Sequence, residues 1–346
     1  MLQAFFHAWE RRLSDVTKDR VVRPFEWGLD WIPQNGDGHA PAPGGVGGPR
    51  DVIDRYVSDD MADTDAFFTP PPTTEYTLQP APDGSLLTFP SAFTTPHESN
   101  NTVRCRYYPA AGAKAAVLVM PQWNSDAGGH VGLCKLLAWN GMSALRLSLP
   151  YHDQRMPSEL HRADYIVSAN VMRTLQVCRQ AVLDARRAIA WLKAQGYERI
   201  GILGTSLGSC LALLTAAHEP LIDAEALNHI SPYFADVVWR GLSTAHVREG
   251  LNGHVELDLL RSIWQPISPR GYLERLRHRK TLLVYARYDL TFPVDLSEDL
   301  VRAFQDLGIP HEVAVLHCGH YSTGKAPFKF VDGYILTKFL KKALTQ

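Results

Sequence analysis

Residues 199–210 read RIGILGTSLGSC: a short apolar run ends in Gly204-Thr205-Ser206-Leu207-Gly208, and a second apolar run, LALLTAAH, follows directly. A strand that turns this sharply into a helix belongs at the carboxyl edge of a sheet whose strands are joined by helices. The G-x-S-x-G pattern in that setting marks Ser206 as a candidate nucleophile. A serine hydroxyl is a weak nucleophile and has to face a base and a substrate at once. The tight turn pushes it outward, and the glycines on either side let neighbouring backbone approach. The helix then opens behind it with unpaired N–H groups, that of Leu207 first, aimed at developing negative charge. An ordinary strand-to-helix turn rich in small residues has the same local pattern, so the rest of the chain decides the reading.

Downstream of residue 72 the chain alternates between strand-like and helix-like stretches. TEYTLQ, SLLTFPS and TVRCRYYPA alternate as early strands do. AVLVM (116–120) is apolar throughout, the pattern of a strand buried on both faces. An amphipathic helix over 130–141, a strand over 144–150, a long helix over 172–195 stopped by Gly196, and the strand RIGILG follow. Strands are again expected at 226–234, 281–289 and 312–320, with helices at 296–308 and 330–344. This order predicts an α/β fold with a mostly parallel central sheet flanked by helices. Residues 235–278 read as an insertion above the sheet, a small lid holding Trp239 and Trp264. Residues 1–72 read as an extension: a helix over 3–18, a Pro/Gly-rich loop, IPQNGDGHAPAPGGVGGPR, and a short helix within 51–68. The α/β domain would then cover 73–346, with the lid as an insertion in it.

A serine nucleophile needs a base, and the base an orienting acid, which in sheets of this kind follow it in the order acid, then histidine. Asp289 ends the strand YARYD and His320 follows the final strand in HCGH. Groups at the carboxyl ends of parallel strands face the ligand crevice. Asp295 competes with Asp289 but falls in the first turn of the next helix, where capping or dipole compensation accounts for it. His317 competes with His320 but falls within the expected strand, where it would pack, and His311 lies at the far end of that strand. A second oxyanion donor is expected from the loop after AVLVM, and by position the Trp123 N–H is the choice, paired with that of Leu207. The Gln122 and Asn124 side chains flank it as candidate substrate contacts. His152 and Arg155, in PYHDQRMP, leave another strand end. Arg155 is a candidate for a substrate carboxylate or phosphate, or for a salt bridge to Asp153 or to the lid.

Composition narrows the partners. With 346 residues and a formal net charge of −1, there is no electrostatic footprint for nucleic acid. The 14 histidines do not cluster as metal ligands, and the five cysteines are dispersed without C-x-x-C, so neither a metal site nor a disulfide framework is expected. They read as buried thiols of a reducing, cytoplasmic compartment. Glu10, Arg11 and Arg12 interrupt the first apolar run too early for a secretory signal, and no stretch of about 18 apolar residues exists for a spanning helix. Phe5, Phe6 and Trp9 could touch a membrane surface, but a docked amphipathic helix is the expectation. The sequence says nothing of oligomeric state.

The motifs GTSLG, YDLTFP and CGH together resemble the α/β-hydrolase superfamily over about residues 75–346, and most of all its dienelactone-hydrolase and acetyl-xylan-esterase-like branches. LRLSLPYHDQRMP, the long helix and GYERIGILGTSLGS are also locally similar to the α/β-hydrolase group containing domain of unknown function 2048. The resemblance implies a core of about eight strands, a Ser206–Asp289–His320 triad, and cleavage of an ester, thioester or lactone without a cofactor. The loop PQWN departs from the His-Gly oxyanion segment of the superfamily. The expected activity is that of a carboxylesterase-like serine hydrolase on a small acyl substrate. An acyltransferase or serine peptidase on the same triad, and a non-catalytic binding protein that keeps the fold, remain as alternatives.

Overall fold

The computed structural model describes residues 2–32 and 48–345. The loop expected for the Pro/Gly-rich stretch falls mainly on residues 33–47, outside the described residues. Among the described residues nine strands form one sheet: β1 (Thr77–Pro80), β2 (Ser85–Pro90), β3 (Thr102–Tyr108), β4 (Ala115–Met120), β5 (Met142–Leu147), β6 (Arg199–Thr205), β7 (Ala224–Asn228), β8 (Lys280–Ala286) and β9 (His311–Leu316). Their order is β1-β2-β3-β5-β4-β6-β7-β8-β9. β1, β2, β3 and β5 pair antiparallel, whereas every pair from β5 across to β9 is parallel. Parallel pairing requires helical crossovers, and their helices cover both faces of the sheet.

The central strand β4 shows how the sequence sets this up. All six of its residues are buried. Ala116, Leu118 and Met120 enter one apolar cluster, while Ala115, Val117 and Val119 enter the other. Period-two alternation therefore divides a uniformly apolar strand between two cores. The first core lies under the long helix Val171–Ala194 and the helix Leu207–His218; the second lies under Val131–Trp139 and Phe328–Thr345. Asn170 caps the long helix by accepting from the Arg173 N–H, and Gly196 ends it at a φ of 90° that a side chain would resist.

The extension is packed against the rest. Its first helix runs Leu2–Ser14, shorter than the expected 3–18, and ends where Asp15, Val16 and Thr17 lower helix propensity. It docks through Phe6, Glu10 and Ser14, spaced four apart on one face, and leaves Leu2 and Phe5 exposed. The single helix expected within 51–68 is two, Pro49–Ala62 and Thr64–Phe67. Asp63 interrupts them by capping the second through the Ala66 N–H. Residues 234–276 form the short helices Phe234–Arg240, Ala245–Leu251 and Leu257–Ile263 with 3-10 segments between and after them. Trp264 is wholly buried there, its indole N–H donating to the Val171 carbonyl, so it packs the insertion onto the long helix.

Candidate active site

Ser206 stands between β6 and the helix Leu207–His218 with φ 58° and ψ −122°, a strained conformation for a residue with a Cβ. Its N–H donates to the Asn228 carbonyl at 2.8 Å, which ties the turn to the end of β7. The two flanking glycines are sterically required. A Cβ on Gly204 would fall on the Gly208 backbone, and one on Gly208 would fall on the carbonyls of Met120 and Pro121. The turn, the helix start and the loop after β4 are thus pressed together.

His320 Nε2 lies 3.0 Å from Ser206 Oγ, and its Nδ1 lies 2.8 Å from Asp289 Oδ2. The carboxylate can only accept, so Nδ1 carries the proton and Nε2 is free to take one from the serine. Asp289 is buried, with Oδ1 accepting from the N–H groups of Thr291 and Phe292 at 2.8 and 2.7 Å. Burial alone would raise its carboxyl. The His320 charge and the hydrogen bonds from His229 and His320 outweigh that and hold it far below the usual carboxylate range. For His320, burial lowers the imidazole, but the Asp289 charge and hydrogen bond, with Glu10 farther off, raise it above 6.5.

The two remaining competitors do not join them. Asp295 makes a bidentate pair with Arg240 on the surface. His317 lies beyond the end of β9 and is exposed, rather than packed within the strand as expected.

Gln122, Trp123 and Asn124 line a cavity of about 970 Å³ together with Ser206, Leu207 and His320. Leu207 opens its helix, so its N–H has no intrahelical acceptor, and the Trp123 N–H has no acceptor among the described residues. The loop that carries Trp123 is fastened by its neighbours. The Asn124 N–H donates to His152 Nε2 at 2.9 Å, Asn124 Oδ1 accepts from the Ala163 N–H, and the Trp123 indole donates to the Ala163 carbonyl.

His152 and Arg155 are corrections to the sequence reading. His152 is buried behind that loop and does not line the cavity. Arg155 is wholly buried, pairs with Asp184 at 2.8 Å, and donates to the carbonyls of Ser148 and Asn100. Neither is placed to touch a substrate. Asp153, the partner considered for Arg155, pairs instead with Arg146.

Two residues escaped the sequence reading. His229 follows β7 directly, and its Nδ1 lies 3.1 Å from the same Asp289 Oδ2 that holds His320. Its place at a strand's carboxyl end was a usable signal. Glu10, from the first helix, accepts from the N–H groups of Tyr321 and Ser322 and from the Ser322 hydroxyl, at 2.7–2.9 Å. It occupies the space over Gly319 where a Cβ would stand. The only local sign was a carboxylate on the apolar face of that helix. Two further contacts secure the region: Phe6 stacks on Tyr288, beside Asp289, and Arg20 donates to the Tyr321 hydroxyl.

His229, Asp289 and His320 present donor atoms within 4.8 Å of one another, close enough for a metal ion. Both Nδ1 atoms already donate to Oδ2, however, which engages atoms a metal would need.

The sequence matches no protein-family model and no curated protein. Solved structures do match. An acetyl xylan esterase from a Paenibacillus species superposes with a TM-score of 0.61 at 15% identity, covering 87% of this chain and 97% of that one. Acetyl xylan esterase 1 from a Thermoanaerobacterium species gives 0.58 at 13% identity over 84% and 93%. The chain has the α/β-hydrolase fold. Acylaminoacyl peptidase from Pyrococcus horikoshii, with the same fold, gives 0.57 at 15% identity over 79% of this chain. The chain spans 41% of that peptidase's length. In the α/β-hydrolase fold, the strand ends that carry Ser206, Asp289 and His320 meet along the carboxyl edge of one parallel sheet. Among the described residues no helix is long and apolar enough to cross a membrane.

Proposed function

We propose that the chain is a serine hydrolase that cleaves a carboxylic ester, thioester or lactone through an acyl-enzyme on Ser206, Asp289 and His320. The observation that carries this is the continuous hydrogen-bonded line from Ser206 Oγ through His320 to Asp289. His320 takes the serine proton as Oγ attacks the carbonyl carbon. The Leu207 and Trp123 N–H groups receive the oxyanion. His320 then protonates the leaving alcohol, and water repeats the two steps on the acyl-enzyme. The esterases and the peptidase that share the fold support this class of chemistry. Leu207, Phe234, Val237, Val238 and Phe292 give the cavity an apolar wall that suits an apolar acyl part. Five buried free thiols support a reducing, cytoplasmic setting. Residues 73–346 would be the hydrolytic domain, with 235–278 over its mouth.

A fluorophosphonate probe and a panel of p-nitrophenyl esters of graded acyl length test the reading. One adduct, on the Ser206 peptide, and turnover of at least part of the panel are expected. A protein that stays unlabelled while folded sinks it.

Acid should silence the enzyme above the ordinary histidine range. His320 works as a base only when neutral, and Asp289 raises its pKa above 6.5. The acid limb of kcat/KM should therefore have its midpoint above 6.5, and Asp289→Asn should move that midpoint down while lowering the rate. A limb unmoved by the substitution would separate the two residues functionally.

Glu10→Ala should lower kcat/KM by ~10²-fold, the scale of a small misplacement of a reacting group. It strips three hydrogen bonds from the residues that follow His320. It should also move the acid limb down, because Glu10 contributes to the raised His320 pKa. A fall in melting temperature with kcat/KM and pH profile intact would assign Glu10 to stability alone.

A further inference from the structure

One wall of the cavity is rich in hydrogen-bond acceptors that have nothing to accept. Asn228 Oδ1, His229 Nε2 and Asp332 Oδ1 are buried, and none has a partner among the described residues. All three residues line the same cavity as Ser206. The cluster is contiguous: Asn228 Nδ2 donates to Asp332 Oδ2 at 3.0 Å. It also abuts the nucleophile, since the Asn228 carbonyl holds the Ser206 N–H and His229 shares Asp289 with His320. His229 Nδ1 faces a carboxylate, which can only accept, so Nδ1 carries a hydrogen and Nε2 is the ring nitrogen left without a partner.

Asp332 gives the wall its sign. No lysine or arginine pairs with it among the described residues. Lys329 lines the cavity one turn earlier, but its ammonium sits over the Phe330 ring. His130, on the same side, is held neutral by burial, its pKa lowered to about 4, and bonds to the Thr205 hydroxyl. A buried carboxylate without a lysine or arginine partner is costly, and burial raises its carboxyl to about 6 although the His229 charge and the Asn228 hydrogen bond lower it. Water brings hydrogen bonds but no charge of its own. A primary ammonium group supplies three N–H donors and one positive charge, which is what the wall lacks.

We propose that Asn228, His229 and Asp332 form a subsite for a primary ammonium group carried by the substrate, next to the serine that attacks it. This rests on Ser206 being the nucleophile of the same cavity. The substrate class is then an ester or related acyl compound with an apolar portion against Val237, Val238 and Phe292 and a protonated amine against Asp332.

Calorimetric titration of the full chain near neutral pH with hexylammonium chloride and with hexan-1-ol tests the subsite without any turnover. The two differ only in the terminal group. Hexylammonium should bind at least about tenfold tighter, the scale of one charge-assisted contact. Asp332→Asn, checked for folding by its melting curve, should remove the preference. Equal binding of the two compounds to the unaltered protein overturns the proposal, as does an Asp332→Asn protein that folds and keeps the preference. Fluorophosphonate labelling of Ser206 reads the nucleophile separately. Labelling without an ammonium preference sinks the subsite alone, and an ammonium preference without labelling sinks the hydrolase reading alone.

Discussion

Ser206→Ala should reduce kcat on any p-nitrophenyl ester the protein turns over by ~10⁶-fold, the loss seen when the nucleophile of a triad is removed. The substitution deletes the attacking oxygen and leaves the rest of the site in place. The fold should be unaffected, because alanine accepts the backbone of the elbow about as well as serine does and Ser206 Oγ bonds only to His320 among the described residues. KM should change little. The residual rate, ~10³-fold or more above that in water, would come from the Leu207 and Trp123 N–H groups and from substrate positioning. Removing His320 as well should then cost almost nothing more, because triad members act as a unit. A Ser206→Ala protein with full activity would place the chemistry elsewhere.

Asp184→Ala should destabilise the fold by about 3–5 kcal/mol, read as a shift in the midpoint of urea unfolding. Asp184 and Arg155 are both wholly buried and 2.8 Å apart. Asp184 also accepts from the Ser91 hydroxyl and the Ala92 N–H. Its removal strands a guanidinium in the interior together with those two donors. The double variant Arg155→Met/Asp184→Leu should recover much of the loss, since a buried pair pays desolvation at both ends. A loss below about 1 kcal/mol for Asp184→Ala would mean that water reaches the pair. A rise in KM at unchanged stability would return Arg155 to the role of substrate contact that its place at a strand end suggested.

These two expectations mark the divide between what the sequence made legible and what it did not. Ser206, Asp289 and His320 could be read because each ends or follows an apolar run, and a parallel sheet brings such ends to one edge. The same rule brings Trp123 to the cavity that Ser206 lines. Arg155 shares that rule and breaks it. Its partner Asp184 lies in the middle of the long helix, on a face where periodicity predicts only burial, so nothing local marks the pair. His152 also leaves a strand end, but it is buried and accepts the Asn124 N–H from behind the loop. The interruption at Asp63 was missed because a capping aspartate inside an acidic helical stretch looks like one more surface charge. His229 was legible by position and was read as part of a strand that in fact stops at Asn228. Glu10 depends on a partner 312 residues away, a distance over which no sequence spacing carries information.

That last separation bears on when the protein can first act. Synthesis delivers the helix with Glu10 before the loop with His320. Until they meet, the N–H groups of Tyr321 and Ser322 lack the carboxylate they donate to. If Ser206 and His320 act as proposed, a nascent chain would carry the nucleophile well before it has the base. If the triad acts as proposed, the onset of activity would report the meeting of the first helix with the loop after β9.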